Sequence, residues 1–255
     1  APAEAIVIEP DKARAAELRE TGCTVHDAAA ALPAGFAPRI LVLAVKPQQM
    51  GAVLDGLGKR LDKPGLVVSI AAGKPIAAFE RAFGTDVPIV RVMPNTPAAI
   101  GRGISALYAN DASGAAERAL AEELMTAVGD AVWLAAEDDM HAVTALSGGG
   151  PAYVFLLVEA MAVAGERLGL EPDLAMRLAR QTVAGAGALL DQSDTTPARL
   201  RQAVTSPGGT TKAALEVLIP SDETAEDAEG EEPMGLAELM TEALAAAAER
   251  SRQLG

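Results

Sequence analysis

The sequence predicts an α/β protein with two parts. A doubly wound, mainly parallel sheet fills the first half, and an all-helical domain follows. Three observations carry this. Short continuous apolar runs alternate with helical segments through the first 138 residues. From Asp139 onward the pattern is helical to the end. Half of the 255 residues are hydrophobic but only 3% are aromatic, so the core is aliphatic, and the alanine-rich second half suits closely packed helices. The expected domains are therefore 1–138 and 139–255, together long enough to bury a sizeable core.

The elements follow in order. Residues 5–8 form a short apolar strand, and 11–20 form a charged helix that ends near Gly22. Residues 40–45 are a continuous apolar run, the kind that parallel sheets bury on both faces. Residues 66–70 repeat it, and 87–93 supply a fourth strand, interrupted by Pro88. Helices lie between, at 47–61 and 75–83. This βαβ rhythm implies right-handed crossovers. Ligands of such sheets bind beyond the C-terminal strand ends, which here carry Glu9, Ala44 to Pro47, Ile70 to Ala72 and Met93 to Thr96.

In the second part, helices are expected at 151–168, stopped by Gly169, and at 172–190, 197–204, 210–218 and 236–254. Leu236, Leu239, Met240, Ala243 and Leu244 share one helical face. Such faces point to burial against a second subunit, with an intramolecular core as the alternative. Residues 221–232 are acidic and without apolar periodicity, a solvated loop by composition.

Composition excludes some functions. The net charge of −14 argues against nucleic acid or an anionic membrane as partner. One cysteine, Cys23, permits no internal disulfide and suits a reducing cytoplasm. His26 and His141 lie far apart with no metal spacing around them. No apolar run is expected to span a bilayer, and the N-terminus has no signal-peptide pattern.

The most informative motif is Ser206-Pro207-Gly208-Gly209-Thr210-Thr211. Proline fixes φ, the glycines allow a tight turn, and the threonines open a helix. Such a turn aims several N–H groups into one concavity, which favours a small anion such as a carboxylate. An ordinary capped helix entry is the alternative. A second motif, Leu146-Ser147-Gly148-Gly149-Gly150-Pro151-Ala152-Tyr153, opens a long apolar helix.

With Val92-Met93-Pro94-Asn95-Thr96-Pro97-Ala98 and Ala44-Val45-Lys46-Pro47, these motifs stand in an order and at distances that resemble the pyrroline-5-carboxylate reductase family, over residues 6–254. The resemblance implies a Rossmann-like nucleotide domain, a helical dimerisation domain, and reduction of a cyclic imine by NADPH or NADH to make proline. It implies a homo-oligomer built through the helical domain, with no metal. Ser206, Gly208, Gly209, Thr210 and Thr211 would hold the substrate, its carboxylate on Ser206 and the N–H groups of Gly209, Thr210 and Thr211. The Thr211 side chain would lie near the ring nitrogen as the catalytic hydroxyl, or else satisfy its own helix start. Glu137 matches a position near the substrate, where a carboxylate favours a protonated iminium. An exposed acid offsetting a helix dipole is the alternative.

For the cofactor, the resemblance implies Ala44, Val45, Lys46 and Pro47 in the turn after a central strand, with Lys46 facing the adenosine or phosphate region or else solvent. Ile70, Ala71 and Ala72 would admit the nicotinamide ribose closely. Asn95 and Thr96 would hydrogen-bond nicotinamide or substrate, or else brace a rigid turn between Pro94 and Pro97. Glu9 ends the first strand, where an acid bonds a ribose 2′-OH and repels a 2′-phosphate. It therefore favours NADH.

The chain departs from the family in two places. No Gly-x-Gly-x-x-Gly turn stands near its start, which corresponds to the family's second strand. The expectation is a protein that begins upstream of Ala1, with a form that binds cofactor poorly as the alternative. Relatives commonly carry Ser at the position of Gly149, where glycine removes a hydroxyl and loosens the backbone. Two other readings stay open: a related imine or β-hydroxyacid dehydrogenase, weakened by the lack of lysine from Thr144 to Ala164, and a non-catalytic paralogue or fragment that keeps the helical scaffold.

Overall fold

Strand β1 (Ile6–Ile8) and strand β2 (Thr24–His26) pair in parallel around helix α1 (Lys12–Glu20). Asp11 begins that helix, its Oδ1 accepting from the Arg14 N–H at 2.9 Å, a side-chain cap of the ordinary kind. The computed structural model describes residues 5–219 and 234–254. The expected acidic loop at 221–232 lies outside the described residues. The chain divides into two units, Ala1–Met140 with Arg252–Gly255, and His141–Ser251.

In the first unit, β3 (Leu41–Leu43), β4 (Val67–Ser69) and β5 (Ile89–Met93) run parallel in that order. Helix α2 (Pro47–Gly58) joins β3 to β4, and α3 (Ile76–Phe83) joins β4 to β5. The continuous apolar runs of β4 and β5 fit because these central strands are buried on both faces, whereas Val42 on β3 is half exposed. Val67 packs with Met50, Leu54, Phe79 and Ile89 on the side of α2 and α3. Its neighbour Val68 packs with Leu66, Val90, Val92 and Leu107 on the other side. Each such side chain contributes roughly 1.5–3 kcal/mol by leaving water. Pro88 stands just before β5 rather than within it, and its carbonyl accepts from the Val67 N–H at 2.9 Å, a place that needs no N–H from proline.

Strand β2 was not anticipated, and neither were four further elements. A 3₁₀ turn at Thr96–Ile100 sends the chain back along β5 as β6 (Gly103–Ala109), antiparallel to it. Helix α4 (Ala115–Thr126) and strand β7 (Gly129–Trp133), parallel to β6, complete the sheet. The five strands stand in the order β3-β4-β5-β6-β7, and β1-β2 is a separate two-stranded sheet.

Helix α5 (Asp139–Val143) continues through a π turn, Thr144–Gly148, into α6 (Gly150–Arg167). Gly149 has ordinary helical angles, φ −81° and ψ −20°. The space where a side chain would stand is filled by Tyr153, whose hydroxyl donates to the Ala145 carbonyl at 3.0 Å. Helix α7 (Pro172–Asp191) packs on α6 through small residues. Ala162, Ala175 and Ala179 are buried, and a side chain at Gly165 would press on Ala175. Helices α8 (Pro197–Ala203), α9 (Thr210–Leu218) and α10 (Leu236–Leu254) follow.

One expectation changes in this unit. By length and composition the helical stretch Asp139–Arg167 is apolar enough to cross a membrane, although no such run was expected. The α10 face is only partly covered within the chain: Met240 and Leu244 are partly buried, while Leu236 and Leu239 remain about half exposed, at 49% and 51%. Phe155, Leu156, Leu174 and Leu178 on α6 and α7 are exposed within the chain as well. Apolar faces of this extent mark a surface made for contact.

Candidate active site

Two groups of residues answer to the predicted site, one in each unit. In the first unit, the parallel order of β3, β4 and β5 puts three strand ends on one sheet edge. Ala44, Val45 and Lys46 follow β3, and Lys46 caps α2 with Pro47 at its first position. Proline suits that place because no N–H is needed there. The Lys46 side chain is exposed. Ile70, Ala71 and Ala72 follow β4. The Ile70 N–H still donates to the Leu43 carbonyl at 3.1 Å, and the Ala71 N–H reaches the buried Ser69 Oγ at 3.4 Å. Ala71 packs into the core with Leu43 and Val67, and Ala72 is partly exposed. After β5, Asn95 Oδ1 accepts from the Ile104 N–H at 3.0 Å. Asn95 thus braces the turn into β6, and Thr96 beside it is exposed. Glu9 follows β1 directly, its Oε1 accepting from the Asp11 N–H at 2.9 Å. β1 belongs to its own two-stranded sheet.

Glu137 is neither a solvated helix acid nor an unpaired charge. Its Oε1 accepts from the Ile76 N–H at 2.7 Å and from Arg91 Nη1. It precedes α5, and its side chain is 31% exposed.

In the second unit, the 206–211 turn forms as its composition dictates. Gly208 has φ +69°, left-handed backbone that a glycine adopts without cost. A side chain at Gly209 would overlap Ser206 Oγ, so the serine hydroxyl closes over the start of α9. The helix has no side-chain cap. One expectation changes here: the Gly209 N–H is not open, because it donates to the Ser206 carbonyl at 3.0 Å. The Thr210 and Thr211 N–H groups and the Thr211 hydroxyl have no partner among the described residues. Open N–H groups at a helix start attract an anion through hydrogen bonds and the helix dipole together.

A family model described as pyrroline-5-carboxylate reductase dimerisation matches residues 137–254. The pyrroline-5-carboxylate reductase of Pseudomonas aeruginosa is 46% identical over 215 residues, 84% of this chain and 74% of that protein. That of Synechocystis is 40% identical over 255 residues, 100% of this chain and 89% of that protein. The chain belongs to the pyrroline-5-carboxylate reductase family. Among solved structures, the reductase of Coxiella burnetii matches with a TM-score of 0.83 and 37% identity, over 98% of this chain and 88% of that one. A Plasmodium falciparum pyrroline carboxylate reductase with NADP bound matches at 0.77 and 29%, over 98% and 87%.

Sequence reasoning about this reductase-family chain missed Arg91 and Ser69. Arg91 carried a signal: a charge between Val90 and Val92 in a run that reads as buried requires a counter-charge from elsewhere in the fold.

Proposed function

We propose that the protein reduces the C=N bond of 1-pyrroline-5-carboxylate to give L-proline, with NAD(P)H as reductant. The observation that carries this is the uncapped start of α9, with open N–H groups and a hydroxyl on Thr211 beside Ser206. In this reading Ser206 and the N–H groups of Thr210 and Thr211 hold the carboxylate, and Gly208 and Gly209 shape the turn. The Thr211 hydroxyl meets the ring nitrogen as it gains basicity. The residues after β3, β4 and β5 fit a dinucleotide: parallel strand ends, small side chains at Ala71 and Ala72, and Lys46, Asn95 and Thr96 at the rim. When bound, a reduced nicotinamide would supply a hydride to the imine carbon while the ring nitrogen takes up a proton from water, and the protein supplies position and electrostatics. The apolar faces of α6, α7 and α10 receive a second copy of the chain, in keeping with the dimerisation family of residues 137–254. The assembly works in the cytoplasm.

The direct test follows the loss of reduced-nicotinamide absorbance with pyrroline-5-carboxylate and purified protein. Turnover with either cofactor is expected. A folded protein that turns over neither would overturn the proposal.

Cofactor choice turns on Glu9. Its carboxylate, held by the Asp11 N–H at the end of β1, is the partner of a 2′-OH and repels a 2′-phosphate. NADH is therefore expected to give the higher kcat/KM. Glu9→Ser shifts the NADPH/NADH ratio toward NADPH by roughly tenfold, a difference of about 1.4 kcal/mol. A wild type that prefers NADPH sinks this assignment.

A further inference from the structure

Arg91 breaks the apolar pattern of β5, and only 7% of it is exposed. Its counter-charge, Glu137, comes from 46 residues further along the chain. The same oxygen, Oε1, also accepts from the Ile76 N–H. Ile76 is the first residue of α3, and Pro75 before it offers no side-chain cap. No acid stands in the first turn of α3. Glu137 therefore supplies from a distance both the missing acceptor and the negative charge that a helix start favours.

The location gives this pairing a function. Arg91 is the register partner of Ser69, the last residue of β4. From Ser69 the chain runs through Ile70, Ala71 and Ala72 to Pro75 and Ile76. The turn assigned to the nicotinamide ribose is thus held at one end beside Arg91 and at the other by Glu137. We propose that Arg91 and Glu137 are a positioning pair for the cofactor turn 70–75, and that the charge of Glu137 is answered by Arg91 rather than by the substrate. This rests on the reductase reading above. The role of Glu137 is then that of a charged acceptor in a fixed place, which an uncharged acceptor of the same shape performs only in part, because Arg91 loses its counter-charge.

Glu137→Gln, Glu137→Ala and Arg91→Lys separate the possibilities. Two quantities are measured: the calorimetric Kd for NADH and for NADPH, and the pH profile of kcat/KM. Glu137→Gln keeps the Ile76 acceptor but leaves the buried Arg91 without its counter-charge, so its Kd rises by roughly threefold, less than in Glu137→Ala, and its pH profile does not move. Glu137→Ala releases the start of α3 and weakens cofactor binding by roughly tenfold or more, and KM for cofactor rises more than kcat falls. Arg91→Lys, a point charge in place of a planar fork, lies between them. If the pH profile of Glu137→Gln shifts, the charge acts on the substrate and the pair is overturned. If Glu137→Ala binds cofactor like wild type, it is overturned as well. A wild type that binds cofactor without reducing the imine removes the reductase reading and leaves the binding comparison to decide the pair. A wild type that binds neither cofactor removes both.

Discussion

Thr211→Ala is expected to lower kcat roughly a hundredfold, the contribution of a positioned proton-handling group, while stability stays within about 0.5 kcal/mol of wild type. The two effects separate because of where Thr211 sits. It is the second residue of α9, exposed, and its hydroxyl has no partner among the described residues. Removing the hydroxyl breaks no folded-state hydrogen bond described for it. Alanine is also the better helix former, by up to about 0.7 kcal/mol. A structural hydroxyl would give the reverse pattern, a loss of stability with activity intact. Thr211→Ser, which keeps the oxygen, is expected to recover most of kcat. The check is steady-state kinetics with saturating cofactor, beside a denaturant melt. Activity within about twofold of wild type, far below a proton-handling contribution, would remove Thr211 from the reaction.

What could be read in the chain beforehand divides along physical lines. β4 and β5 were legible because both faces of each are buried, and two-sided burial writes an unbroken apolar run; β3 carries the same run although Val42 is half exposed. The turn at 206–211 was legible because Pro207, Gly208 and Gly209 permit few backbones. Which N–H groups stay open was not legible: Gly209 donates to Ser206 only because the turn closes tightly, a fact of coordinates rather than composition. β6 escaped notice because small and polar residues serve its buried positions. Gly103, Ser105 and Ala106 are as buried as Leu107, so neither strict alternation nor a continuous run appears. The βαβ rhythm also set up an expectation of parallel pairing, which the turn at Thr96–Ile100 reverses. Glu137 was noticed, but as a carboxylate near the substrate or as an acid at the start of the helix that follows it. Its actual helix is α3, 61 residues earlier, and no local pattern reports a contact of that span.

The same long-range logic gives the largest expected effect on folding. Gly129→Ala is expected to destabilise the protein by about 3 kcal/mol, lowering the melting midpoint by roughly 6–12 °C. Gly129 opens β7 with φ +148°, a region that L side chains rarely adopt. It lies directly opposite Gly103, the first residue of β6. A methyl group there would stand 2.6 Å from both the carbonyl carbon and the nitrogen of Gly103. Those are backbone atoms of a paired strand, so no side-chain rotation relieves the overlap. Gly103 cannot retreat either, because its own Cα already faces Ala98, where an added methyl would come within 2.8 Å. The strand start must separate, which loses the Gly103 N–H bond to the Val128 carbonyl, now 3.1 Å. Gly56→Ala is the control of opposite sign. Gly56 lies inside α2, exposed, with nothing within 4 Å of an added methyl, so alanine there stabilises by about 0.5–1 kcal/mol. Thermal melts of the two variants beside wild type compare a forced close approach with an idle glycine. If Gly129→Ala melts with wild type, β6 and β7 do not meet through that pair of glycines.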